Sequence, residues 1–182
     1  KGISGINAVL LKQYLLFSVR SESFYGKTMI SKTGAKGWWQ FTGPVAKQYN
    51  LKYVMQLEES ARATVELALD NAKSLNEYGI DPTVENIYFS HVIGARGLSL
   101  VKKTMKGNVL SEKDSETVLK IVAAQLPKEE YDTLFTGKLS EAKLREGFSI
   151  KDVVVSFDDF FNKRFTEYHA DNSYLAETVG VV

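Results

Sequence analysis

Apolar residues at the start of the chain recur at helical intervals. Ile3, Ile6, Leu10, Tyr14 and Phe17 fall three or four apart, and Leu11 and Leu15 widen the stripe. This predicts a helix over 3–20, ending near Ser21–Ser23. Residues 25–43 lose the period and gather Gly26, Ser31, Thr33, Gly34, Gly37 and Gly43, which reads as a loop with a short hairpin. Pro44 then suits the first turn of a short helix, 44–49. The clearest long helix is 57–78. Leu57, Ala61, Val65, Ala68, Leu69, Ala72 and Leu75 share a face, and Gly79 stands where a C-terminal cap belongs.

Asp81-Pro82 restarts a helix over 82–94 that carries Val84, Ile87, Tyr88, His91 and Val92. Gly94 and Gly97 interrupt it, and it resumes over 98–105. Ser111 with Asp114 resembles a capping box and opens 112–126. Pro127 precedes a helix at 128–134, Ser140 opens a short one, and Ser149 with Asp152 opens the last, 150–169. Val153 to Val155, Phe157, Phe160, Phe161 and Phe165 give that last helix an apolar packing face. The pattern predicts a mainly α protein. Residues 1–105 are expected to form a core and 106–182 a helical elaboration packed on it.

Composition narrows the class. The chain has 182 residues and 44% apolar content, enough for a buried core. It has no cysteine, so disulfides and thiolate metal sites are excluded. Two histidines, His91 and His169, offer little for a metal, and no metal or cofactor is expected. The apolar runs are too short to span a bilayer. A start at Lys1 without Met, and a tail ending Val179-Gly180-Val181-Val182, are expected of a processed product or of a domain within a longer chain.

The net charge of +1 argues against a strongly basic nucleic-acid module, and it conceals an asymmetry. Residues 1–57 hold Lys1, Lys12, Arg20, Lys27, Lys32, Lys36, Lys47 and Lys52 against one acid, Glu22. At the chain's average frequency about seven acids would fall there. Glu22 also sits at the predicted C-terminal end of a helix, where the dipole disfavours negative charge. Phe24 and Tyr25 follow it, and Trp38-Trp39 lie downstream. Burial against aromatic rings disfavours the ionised form of a carboxyl, while Lys27 and Lys32 would favour it if they came close. A carboxylic acid that keeps its proton near neutral pH is what glycosidic cleavage needs as a general acid.

The residues around Glu22 make a pattern. Glu22-Ser23 is followed by Ser31, Gly34-Ala35, Gly37-Trp38-Trp39-Gln40, Thr42, Pro44, Ala46 and Tyr49. This run resembles the signature of the soluble lytic transglycosylase family, relatives of goose-type lysozyme. That family has an ES pair, then GA.GLMQ, then P.TA at similar spacing. Where the family has AYNAG at a helix end, this chain has Tyr88-Phe89-Ser90-His91-Val92-Ile93-Gly94. That variant segment is similar to transglycosylase-like domains within bacteriophage tail or ejected internal proteins.

The resemblance implies a lysozyme-like helical domain and a role for each matched residue. Glu22 would be the single catalytic acid and base. Ser31 would hydrogen-bond that glutamate or the substrate's acetamido group. Gln40 would bind sugar near the cleavage point, and an indole of Trp38 or Trp39 would stack on a sugar face while the other packs in the core. His91 falls where the family has a Tyr beside the glutamate, and Tyr88 joins the substrate-binding set.

The implied activity is cleavage of the β-1,4 bond between N-acetylmuramic acid and N-acetylglucosamine, with a 1,6-anhydro product. Most glycosidases use two carboxylates. Here a partner for Glu22 would have to come from Glu58, Glu59, Asp81, Glu85 or beyond, and a transglycosylase needs none. The implied setting is a virion protein that opens the cell wall in the periplasm during genome delivery. Its partners would be peptidoglycan strands and other virion subunits, with no nucleic-acid specificity. A water-using muramidase, and a non-catalytic virion or ejection protein that keeps the fold, are the alternatives.

Overall fold

The computed structural model describes the backbone of residues 6–179 and the side-chain environment of residues 6–170. The expected helical positions at 3–5 and the closing residues 180–182 lie outside the described residues. The chain is mainly helical. Among the described residues there are seven α-helices: α1 Ala8–Ser23, α2 Gly43–Gln48, α3 Leu57–Glu77, α4 Val84–Met105, α5 Glu112–Ala123, α6 Lys128–Leu134 and α7 Ile150–Val179. Two short strands, β1 Phe135–Thr136 and β2 Lys143–Leu144, pair antiparallel around a single 3-10 turn at Leu139–Glu141.

Several boundaries move from their expected places for local reasons. Ile6 and Asn7 are not helical, because Asn7 caps α1: its side chain accepts from Leu10 N–H at 2.9 Å. The helix ends at Ser23 because Phe24 turns left-handed, with φ 52° and ψ 54°. The expected interruption at Gly94 is present, since its backbone is non-helical (φ 74°, ψ 153°) and divides α4 into two helical stretches, while the first of them begins at Val84 rather than at 82. α7 runs ten residues past its expected end, since neither Gly nor Pro intervenes before Gly180.

The chain forms two compact units, residues 1–91 and 92–182. In the first, α1 packs on α3, and a core of Val19, Trp39, Phe41, Tyr49, Leu51 and Ala63 joins them to the 24–42 loop and α2. The hairpin expected in that loop is reduced to two backbone bridges, Ile30 with Lys36 and Lys36 with Phe41. Tyr49 closes α2 and donates to Asp70 Oδ2 on α3 at 3.0 Å. In the second unit α5 lies along α7, burying Val118, Val122, Val153, Val154, Phe157 and Phe161. Of the expected apolar face of the last helix, Val153, Val154, Phe157, Phe161 and Phe165 are buried, whereas Val155 is exposed and Phe160 half-buried.

Candidate functional site around Glu22

The last turn of α1 presents Glu22. Tyr14, Ser18 and Glu22 are four residues apart, so they stack along one face of the helix. Opposite them stand Trp39 and Phe41 from the loop, Thr64 and Leu67 from α3, and His91 from α4. Together they enclose a hollow with about 10 Å³ of free space, the room one water molecule needs.

The position of Glu22 is fixed from α4. Tyr88, fully buried, donates its hydroxyl to Glu22 Oε1 at 3.0 Å. Phe17 meets the Tyr88 ring edge-on, with centroids 4.9 Å apart and planes at 87°. His91 follows one turn later on the same helix and lines the hollow beside Glu22. Burial holds the His91 imidazole below its ordinary value, and the nearby Glu22 carboxyl opposes that shift without cancelling it. Burial raises the Tyr14 hydroxyl, reinforced by Glu22, so Tyr14 stays a neutral phenol.

The two indoles have different tasks. Trp39 is buried and donates Nε1–H to Ser18 Oγ at 2.9 Å, while Ser18 Oγ donates to Tyr14 C=O at 2.7 Å. Trp39 is thus a wall of the hollow with its polar atom satisfied. Trp38 is half-buried and donates to Met55 C=O at 3.2 Å. Its ring lies on the bare backbone of Gly26.

Ser31 and Gln40 serve the loop itself. Ser31 Oγ accepts from Ala35 N–H at 2.9 Å and shares a 3.0 Å bond with Thr33. Gln40 Nε2 donates to Thr28 C=O at 2.9 Å and Gly37 C=O at 2.7 Å, and its Oε1 is buried without a partner. Two carbonyl acceptors fix that orientation of the amide. The structure therefore brings Glu22, Trp39, Tyr88 and His91 together, and gives Ser31, Gln40 and Trp38 loop-bracing contacts. Tyr88, expected against substrate, is buried behind Glu22.

Among the described residues no second carboxylate lines the hollow. Glu59, one of the sequence-level candidates, instead accepts from the backbone N–H groups of Lys52 and Tyr53 at 2.9 and 3.2 Å. Tyr14, Ser18, Phe41, Thr64 and Leu67 are site residues the sequence reading missed. For the first two, the four-residue spacing back from Glu22 was the available signal.

Around the mouth the backbone is strained. Phe24 and Tyr25 both hold positive φ (52° and 58°), as does Gln40 (48°), a conformation L-residues rarely adopt. Both aromatics are consequently turned outward and exposed.

Among the described residues no group of three or more His, Asp or Glu side chains is placed to hold a metal ion. No helix among them is long and apolar enough to cross a membrane. No protein-family model, curated protein or solved structure matches the chain.

Proposed function

We propose that this protein is a lysozyme-like lytic transglycosylase that cleaves peptidoglycan strands with Glu22 as sole acid and base. One observation carries the reading: a single carboxyl, held by a buried tyrosine hydroxyl at 3.0 Å, in a hollow that no second carboxylate lines among the described residues. The ES, GA.GWWQ and P.A pattern around it supports the same chemistry.

In this reading Glu22 gives its proton to the oxygen linking muramic acid to glucosamine, and the C1–O bond breaks. The substrate's acetamido group stabilises the positive charge at C1. Glu22, now ionised, removes the proton of the C6 hydroxyl, and O6 bonds to C1. One group acts in both directions, so one suffices. Tyr88 holds Glu22 through both steps, and the neutral His91 and Tyr14 line its inner side. The proposed setting is a phage virion protein that opens the wall locally, with peptidoglycan and neighbouring virion subunits as partners.

The one-water hollow beside Glu22 and His91 favours a second reading, hydrolysis, in which a water rather than the C6 hydroxyl attacks C1. Mass analysis of products from purified sacculi separates the two. Anhydro-muropeptides, one water lighter, are the expected result, and reducing ends support the muramidase. Glu22→Gln is expected to lower release about 10²–10⁴-fold. No release by the parent chain sinks both enzymatic readings and leaves a binding or scaffolding role.

A further inference from the structure

The cations of residues 24–52 stand in a segment that has no acid of its own. Beyond residue 57 acids are interspersed, and some cations pair with them: Arg62 with Glu66, Arg96 with Asp114 at 2.8 Å, Lys120 with Glu116 and Lys128 with Asp132. Lys27, Lys32, Lys36, Lys47 and Lys52 are all exposed and, among the described residues, their ammonium groups form no ion pair, although the Lys52 backbone N–H donates to Glu59. Lys27 instead lies 4.5 Å over the ring of Phe24. Like charges gathered this way repel one another, and no acid of the same segment relieves them.

This segment supplies two walls of the site, Trp39 and Phe41. Phe24 terminates the helix that carries Glu22. Lys36 exchanges two backbone bonds with Phe41, at 3.0 and 2.8 Å, and Phe41 lines the Glu22 hollow. Exposed flat rings flank the lysines in sequence: Phe24 at 49%, Tyr25 at 40% and Tyr53 at 61% of full exposure. Rings offer faces to sugars, and unpaired ammonium groups offer charge to anions. A polymer that carries both sugar rings and fixed anions matches this surface better than a neutral glycan does.

We propose that the 24–53 face binds an anion-bearing glycan strand. Sugar rings lie against Phe24, Tyr25 and Tyr53, and carboxylates or phosphates on the strand meet Lys27, Lys32 and Lys36. The inference rests on the reading of Glu22 as a glycan-cleaving group and adds a substrate requirement: the strand must be charged. The anions have two sources, the carboxylates of peptide stems and the phosphates of polymers attached to the wall.

The test uses the full chain bearing Glu22→Gln, so that strands remain intact. Co-sedimentation with purified sacculi is measured from about 50 to about 500 mM salt, with and without prior removal of the phosphate polymer. Binding is expected to weaken steeply with salt, and Lys32→Glu/Lys36→Glu to weaken it at least about tenfold at low salt. Lys32→Gln/Lys36→Gln gives a smaller loss in the same direction. Lys113→Glu/Lys138→Glu makes the same change in net charge at exposed positions in the second unit, and is expected to change binding less than about twofold. Binding lost with the polymer assigns phosphate, and binding retained assigns carboxylate.

Equal losses from both glutamate pairs would overturn the proposal, as would salt-independent binding. So would tighter binding to a single-stranded DNA oligomer or to anionic lipid vesicles than to sacculi. Glycan release by the parent chain is scored separately. Binding without release overturns the Glu22 reading alone, and release without lysine-dependent binding overturns the charged face alone.

Discussion

Tyr88 and Glu22, 66 positions apart in sequence, meet at 3.0 Å, and the donor is buried while the acceptor faces the hollow. The bond couples the last turn of α1 to α4 inside one compact unit. Tyr88→Phe keeps the ring against Phe17 and removes only the hydroxyl. Stability is expected to fall by about 1–2 kcal/mol in chemical denaturation. Glycan release is expected to slow about tenfold with KM little changed, since a misplaced acid affects the transition state more than binding. An unaltered rate would show that Glu22 needs no such anchor.

Ser18→Ala tests the support beneath Trp39. The substitution leaves a buried indole N–H with no acceptor, which costs about 1–3 kcal/mol. Denaturation and the Trp fluorescence maximum read the effect. A change within a few tenths of a kcal/mol would mean that the indole finds another partner.

Gly34 and Gly37 separate backbone strain from steric exclusion. Both have positive φ, 87° and 81°. A Cβ on Gly34 meets open space, so Gly34→Ala is expected to cost about 1 kcal/mol. A Cβ on Gly37 would stand 2.0 Å from the Val54 carbonyl oxygen. Gly37→Ala must displace the 53–56 turn, and about 3 kcal/mol or more is expected from overpacking and strain together. Similar thermal midpoints for the two variants would refute the close approach.

His91 makes stability depend on pH. Burial lowers its proton affinity in the folded state from an ordinary value of 6.5. The unfolded chain therefore takes up the proton first on acidification. Stability is highest above about 6.5, falls as pH drops below it, and levels off once the folded histidine is also charged. His91→Asn removes this slope. If parent and variant lose stability in parallel between pH 7 and pH 5, the imidazole is not held neutral by the fold.

Helices with sustained 3.6-residue periodicity were legible in the sequence, α3 most of all, although its buried side is Ser60, Ala63, Thr64, Ala68, Ala72 and Leu75, with the expected Leu57 exposed. Ends were less so. The start of α1 depends on one side-chain bond from Asn7, and its stop on Phe24 taking a conformation that its residue type disfavours. Glu22 could be singled out as the one acid among basic and aromatic residues. Its partner could not. His91 and Tyr88 lie one turn apart on α4, and only the packing of α4 decides which hydroxyl or imidazole reaches the carboxyl. Likewise Trp38 and Trp39 are neighbours in sequence, yet the loop turns one inward and the other onto Gly26. Gln40 and Ser31 read as substrate contacts because their side chains suit that task equally well, whereas the loop uses them to hold its own carbonyl and amide groups.

The left-handed pair at Phe24 and Tyr25 has a consequence for anyone engineering this protein. Glycine is the ordinary residue just past a helix end, and there it would relieve about 1 kcal/mol of torsional cost. A stability-driven redesign would choose it at position 24 and obtain a more heat-resistant protein without the outward-facing Phe24 ring. Selection for thermal tolerance alone would therefore erase this corner.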